Sequence, residues 1–435
     1  MLSLLRPVLS LLSGVALLLL GSGLLNTLVP LRASQAGYPD ALVGGLTSAY
    51  FAGFFIGTFV APSLVRRIGH IRAFAFYTAC CACVVLLHTL SVDPILWLLA
   101  RLALGAALVG LYTVIESWLN AQAEPPQRGR VFAVYMAVNL GALALAQQLL
   151  HVEGGADFVL FVLVALLVCA ASLPVLLTRQ AQPQLQPAPR LQLRRLLAVA
   201  PTAGVGALVS GLAMGALWGL LPVYFSRQGM DASGIGMSMS VAILGGAALQ
   251  WPLGRLSDRH DRRFALALAC AAACVFAALI PMTMPFAGMS QGLVFLYGGM
   301  AFSAYPIVVA HLLDQLPPED VLAASSSVLL VNGIGSALGP LLAGLLMSAL
   351  GPAALFAWFA LLQGSLAVYA GYRYQAHRRS HVPGAPFFAM LRTTPASLEM
   401  LAAESEDGRP DDEPVGNEQA GTTRDRPEGA GAARD

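Results

Sequence analysis

The 435-residue sequence contains no lysine; all 25 basic side chains are arginine. A Walker-type phosphate loop needs its Lys and Schiff-base chemistry needs a side-chain amine, so ATP-driven transport by this chain alone and imine catalysis are both excluded. Charge of either sign is scarce, at 11% of residues against 57% hydrophobic, where soluble chains carry about 25% charged residues. With a mean hydropathy of +0.71, most of the chain has lipid as its solvent, which excludes a cytosolic enzyme and a nucleic-acid binder. The sequence also lacks Gly-x-Ser-x-Gly and His-Glu-x-x-His, so a membrane enzyme is not expected. The six cysteines (Cys80, Cys81, Cys83, Cys169, Cys270 and Cys274) all fall in apolar runs, where a thiol packs as a small hydrophobe. No metal site or cofactor is expected from them.

What the sequence does contain is apolar runs long enough to cross a bilayer, each needing about 20 residues. Twelve are predicted, at about 7–30, 41–65, 71–90, 94–119, 130–150, 157–177, 196–225, 232–253, 264–285, 290–313, 321–348 and 352–372. Alternating the connecting loops between two sides puts Arg6, Arg66, Arg67, Arg72, Arg128, Arg130, Arg179, Arg190, Arg194 and Arg195 on one side. The same side receives Arg255, Arg259, Arg262, Arg263, Arg373, Arg378 and Arg379, leaving only Arg32 and Arg227 opposite. Cytoplasmic loops retain positive charge, so both termini are expected in the cytoplasm. The first span follows Arg6 as a signal peptide's apolar region would, but its length argues for a retained helix.

An internal repeat supports that count. A shift of 192 residues places Leu28, Pro30, Ser34 and Gly37 on Leu220, Pro222, Ser226 and Gly229, and Leu64 and Arg67 on Leu256 and Arg259. A shift of 193 places Val138, Asn139, Ala144 and Leu145 on Val331, Asn332, Ala337 and Leu338. Six spans therefore repeat in the same orientation, the plan of secondary transporters whose substrate cavity lies between halves. The expected organisation is an all-α membrane protein with an N-terminal six-helix bundle (1–177) and a C-terminal one (196–372). A Pro- and Gln-rich cytoplasmic linker (178–195) joins them, and a largely disordered cytoplasmic tail (373–435) follows. Residues 1–395 carry 21 Arg against 12 acids, net +9, whereas 396–435 carry 4 Arg against 11 acids, net −7. Within the tail, Phe387 to Leu391 is apolar enough to dock on the membrane surface or the cytoplasmic mouth.

The stretch Gly254-Arg255-Leu256-Ser257-Asp258-Arg259-His260-Asp261-Arg262-Arg263 resembles the signature loop of the major facilitator superfamily, Gly-x-Leu-x-Asp-Arg-x-Gly-Arg-Arg. It departs mainly at Asp261, where the family has Gly. The family's best copy normally follows the second span, yet here that loop reads Pro62-Ser63-Leu64-Val65-Arg66-Arg67-Ile68-Gly69-His70, with Arg66 in place of Asp. The resemblance implies the twelve-helix fold and a gating role for Gly254, Asp258, Arg259, Arg262, Arg263, Arg67 and Gly69, with Asp258 and Arg259 latching the halves on the cytoplasmic side. A solvated positive loop is the alternative reading of the same residues. In the fourth span, Arg101-Leu102-Ala103-Leu104-Gly105 is similar to the family's Arg-x-x-x-Gly pattern. The Gly-Pro run at Gly335 to Gly344 resembles a drug/proton antiporter motif displaced to the eleventh span, and reads first as packing.

Polar groups inside spans are costly against lipid and are expected to line a cavity or bond across helices. Arg101, Gly105, Tyr112 and Glu116 fall on one stripe of the fourth span. Glu116 is the only Glu in any predicted span and the candidate proton-coupling carboxylate, with a structural pairing to Arg128 or Arg130 as its alternative. His311 and Asp314 form the competing proton site. Asn26, Asn139, Gln147, Trp218, Tyr305 and Asn332 complete the candidates, a set with aromatic faces and amides but few fixed charges, suited to an amphipathic small molecule. The reading is a secondary transporter of the bacterial inner membrane, favouring proton-coupled export. Uptake of a sugar or organic acid, and a non-transporting receptor or scaffold, stand as alternatives. The expected partners are the small-molecule substrate, protons and the bilayer, without nucleic acid, and the chain is expected to act as a monomer.

Overall fold

The computed structural model describes residues 9–122, 127–152, 158–177, 199–316, 318–376, 387 and 389–390, without the side chains of 287 and 318–322. Among them are twelve helices long and apolar enough to cross a membrane. They are α1 (Leu9–Gln35), α2 (Asp40–Ile68), α3 (His70–Leu90), α4 (Pro94–Gln122), α5 (Arg128–Gln148) and α6 (Val159–Leu176), then α7 (Pro201–Arg227), α8 (Ala232–Arg259), α9 (Arg262–Thr283), α10 (Ala287–Leu313), α11 (Pro318–Leu350) and α12 (Ala354–Ala376). The linker at 178–195 and the acidic stretch beyond 396 lie outside the described residues.

The repeat governs the helix ends as well as the spans. Displacing α1 by 192 residues reproduces the limits of α7, and displacing α2 reproduces α8 to within one residue. α1 closes with Gly37 at φ 84° and α7 with Gly229 at φ 82°, the left-handed conformation that glycine adopts without a Cβ clash. The hydrogen bonds that close these turns correspond too: Tyr38 N to Ala33 O (3.0 Å) and Met230 N to Phe225 O (3.1 Å). Pro30 and Pro222 sit inside the two helices at the matched position.

Small residues set the packing. Gly105 of α4 lies against the Tyr50 carbonyl of α2, and Gly53 of α2 against the Leu102 carbonyl of α4; a Cβ at either would overlap backbone. The Gly-Pro run of α11 does the same against α7, with Gly335 over Leu208 and Gly339 over Leu212, and Gly211 and Gly215 returning the contact against Asn332 and Ser336. Close backbone approach of this kind supplies the dispersion contact that holds helices together when lipid competes for their apolar faces.

Four helix ends differ from the sequence expectation by four residues or more. α7 starts at Pro201 rather than about 196, and α8 runs to Arg259 rather than about 253, so Gly254 to Arg259 of the signature stretch is helical. α1 runs to Gln35 rather than about 30, carried through Pro30, and α12 runs to Ala376, so 373–376 belong to the last helix rather than to the tail. The Arg263 Nη1 donates to the Arg373 carbonyl at 3.4 Å, helping to satisfy that helix end.

Candidate functional site

The two six-helix bundles meet along α2 with α11 and α5 with α8. Their direct contacts gather at the end opposite the arginine-rich loops. Arg227 Nη2 lies 3.2 Å from Asp40 Oδ1, Ala41 N donates to Ser348 Oγ (2.9 Å) and Ser233 Oγ meets His151 Nε2 (2.8 Å). Deeper, Gln148 Nε2 donates to Ser240 Oγ (2.6 Å), whose hydroxyl donates to Ala144 O (2.7 Å). Gly44 against Pro340 and Gly344 against Asp40 allow α2 and α11 to touch along their backbones there.

Below this seal lies a central cavity of about 130 Å³, built from both halves. Its aromatic walls include Tyr50, Phe54, Tyr112, Tyr135, Trp218, Phe302 and Tyr305, and its polar groups include Asn26, Asn139, Asn332, Ser22, Ser210 and Ser336. None of the described lining residues carries a formal charge. Lining positions also repeat: Asn139 and Asn332 are 193 apart, as are Tyr112 and Tyr305, while Asn26 and Trp218 are 192 apart. The cavity is thus bounded by corresponding faces of the two bundles.

Of the sequence candidates, Asn26, Tyr112, Asn139, Trp218, Tyr305 and Asn332 line this space. Arg101 sits just outside it at 1% exposure. Both terminal nitrogens donate to Asn26 Oδ1 at 3.3 Å, and the guanidinium lies 4.6 Å from the Tyr50 ring centroid. A buried cation against an aromatic face and an amide oxygen is stabilised without a carboxylate. Gln147 joins helices instead: it accepts from Thr27 Oγ1 at 2.7 Å and donates to Gly23 O at 3.3 Å. Glu116, also 1% exposed, accepts a 3.0 Å hydrogen bond from Tyr135 Oη. That places the carboxylate one hydrogen bond from the cavity wall, and Tyr135 is a partner the sequence reading did not identify.

His311 and Asp314 are drawn to the arginine-rich end. Asp314 Oδ2 accepts from Arg262 Nε at 2.9 Å, and His311 Nε2 lies 3.1 Å from Gln315 Nε2. Arg262 also donates to Asp258 Oδ1 (2.6 Å) and Ser257 Oγ (3.1 Å). In this conformation Asp258 is held by Arg262 within the C-terminal half. Arg259 and Arg67 are exposed, and Gly69 (φ 83°) turns α2 into α3. Asp261, the departure from the signature, caps α9: Oδ1 accepts from Arg263 N (2.8 Å) and Nε (3.0 Å), and Oδ2 from Nη2 (2.7 Å). Burial pushes its carboxyl pKa up, but these Arg263 donors outweigh it and hold the group below its ordinary value.

Comparison with known proteins agrees with this geometry. The model of the Major Facilitator Superfamily matches residues 11–203 and again 203–398. The chain belongs to the Major Facilitator Superfamily. An uncharacterised MFS-type transporter, YcaD of Salmonella newport, is 32% identical over 349 residues, spanning 79% of this chain and 89% of the relative, and YcaD of Salmonella typhi matches equally. Among solved structures, the nucleoside transporter NupG superposes with a TM-score of 0.69 at 15% identity, covering 86% of this chain and 99% of NupG. A bacterial homologue of the human lysosomal transporter Spinster, in an inward-facing and unoccupied conformation, gives 0.65 at 16% identity, covering 92% and 97%. These two structures share the fold. The protein is a multi-pass membrane transporter of small molecules and not an enzyme.

Proposed function

We propose that this superfamily member exports a neutral, ring-bearing amphipathic molecule across the bacterial inner membrane, coupled to proton entry. The observation that carries the reading is the uncharged, aromatic and amide-lined cavity bounded by corresponding faces of both halves. Aromatic walls stack on a planar solute, and the three asparagines and three serines offer donors and acceptors at its rim. A polyanion or a dicarboxylate would find no cation on the described walls, since the Arg101 guanidinium is turned into Asn26 and Tyr50.

The arginine distribution supports cytoplasmic termini, and with that orientation the sealed end is periplasmic and the structure faces inward. In this reading the bundles at 1–177 and 196–372 rock about the cavity on the linker at 178–195. Glu116 accepts and releases the coupled proton, and Tyr135 relays the cavity's occupancy to it across their 3.0 Å hydrogen bond. A thermal-shift screen of the purified protein tests the solute class, because a ligand that binds the folded state raises its apparent stability. Neutral planar solutes, nucleosides among them, are expected to raise the melting temperature; stabilisation by polyanions alone would contradict the reading.

A further inference from the structure

Of the described residues of the C-terminal segment, Met390 is buried and Phe387 and Ala389 are half-buried. Phe387 N donates to Asp258 Oδ1 at 3.1 Å. The Phe387 ring covers Gly254 so closely that a Cβ there would overlap it. Three residues on, the Met390 carbonyl accepts from Gln250 Nε2 at 3.3 Å. Met390 is 2% exposed and lines the central cavity alongside residues of both halves.

Gln250, Gly254 and Asp258 are spaced four residues apart and form one stripe on α8, which spans about 12 Å at 1.5 Å per residue. The segment follows that stripe inward from the arginine-rich end, its backbone anchored at both extremes and its aromatic ring seated between them. The far end of the cavity is closed by the contacts between the halves, so the segment occupies the opposite end, through which a solute would have to pass.

We infer that Phe387 and Met390 form an autoinhibitory plug in the mouth of the solute cavity, anchored on the Asp258 of the signature loop. The inference rests on the reading of this cavity as the solute path. Its chemistry is specific. Gly254 provides a flat cradle that only a residue without a side chain can offer, and Gln250 provides an amide donor at 0% exposure that recognises backbone rather than a particular side chain. Withdrawal of the plug removes the Phe387 amide from Asp258 Oδ1, which keeps its 2.6 Å hydrogen bond from Arg262 Nη1.

Chemical accessibility tests this without reference to any solute. Ser210 lines the cavity, and Ser210→Cys is introduced into the full-length, detergent-solubilised protein. N-ethylmaleimide modification at that position is timed by mass spectrometry of the peptide. Replacing Phe387→Ala and Met390→Ala together removes the ring and the side chain that fill the mouth, and labelling is expected to accelerate roughly tenfold. Truncation after Ala376 is expected to do the same, and buried Cys270 in α9 stays unreacted in every variant. A labelling rate equal to that of the intact tail in both variants, or a rise matched at Cys270, overturns the plug. Transport does not enter the readout, so that result would leave the cavity's role as solute path untouched.

Discussion

Arg227, the last residue of α7, reaches across the boundary between the halves to Asp40, the first residue of α2, with Nη2 3.2 Å from Oδ1. These are two of the few charged residues at the sealed end, and they come from opposite bundles. Arg227 is 40% exposed and Asp40 10%, so the pair contributes on the order of 1 kcal/mol or less. That is enough to bias an equilibrium between two conformations of similar energy.

Asp40→Asn is therefore expected to shift the population toward states in which the sealed end is open. Spin labels at Gln35 and Gln228, exposed on the two halves at that end, check it by pulsed distance measurement. The distribution should gain a longer component in the variant, and an unaltered distribution would mean the pair does not hold the seal.

Glu116→Gln is expected to abolish the response to a pH gradient while leaving counterflow exchange intact, because the amide cannot release a proton while the cavity keeps its lining. Tyr135→Phe removes the hydrogen bond and should weaken coupling without abolishing it. Equal loss of gradient-driven flux and exchange, or of neither, removes Glu116 from the coupling role.

Asp258→Asn should preserve insertion and ligand binding but change the rate of exchange. The carboxylate holds Arg262 at 2.6 Å and the Phe387 amide at 3.1 Å, and neither contact touches the cavity polar groups. An exchange rate equal to the parent's would favour the solvated-loop reading of the signature.

Asp261→Ala removes the α9 cap and a bidentate partner of Arg263, for an expected loss of about 1–2 kcal/mol, seen as a lower melting temperature. The sign of the pH dependence follows from the lowered folded-state pKa of Asp261. Its contribution is present above the unfolded carboxylate pKa and is lost as pH falls through the folded value. The parent should lose more stability on acidification than the variant; parallel melting curves from neutral to acid pH would contradict this.

How much of this was legible in the sequence depended on whether the signal was local. Helix count and the repeat could be read because bilayer thickness imposes a run length and Gly37 and Gly229 mark matched left-handed turns. Cavity residues such as Asn139 and Asn332 were legible through the cost of polar groups in spans, and the apolar tail stretch at 387 stood out within a charged segment. Lateral pairings were not. Helical periodicity places Glu116 on a face of α4 but does not say that Tyr135 of α5 stands opposite it. Likewise the i, i+3 spacing suggested His311 as the neighbour of Asp314, whereas Arg262 of α9 reaches that carboxylate from a separate helix. Asp261, a departure from the signature, is explained by a cap that only the geometry of the α8–α9 turn displays.

The measurement that tests the central claim most directly is solute flux in proteoliposomes under an imposed pH gradient, using a neutral planar ligand identified by thermal shift. Uphill movement that saturates, collapses with a protonophore and falls sharply in Trp218→Ala is the predicted result. A ligand that binds the cavity yet moves at the same rate with and without the gradient would contradict proton-coupled export through this site.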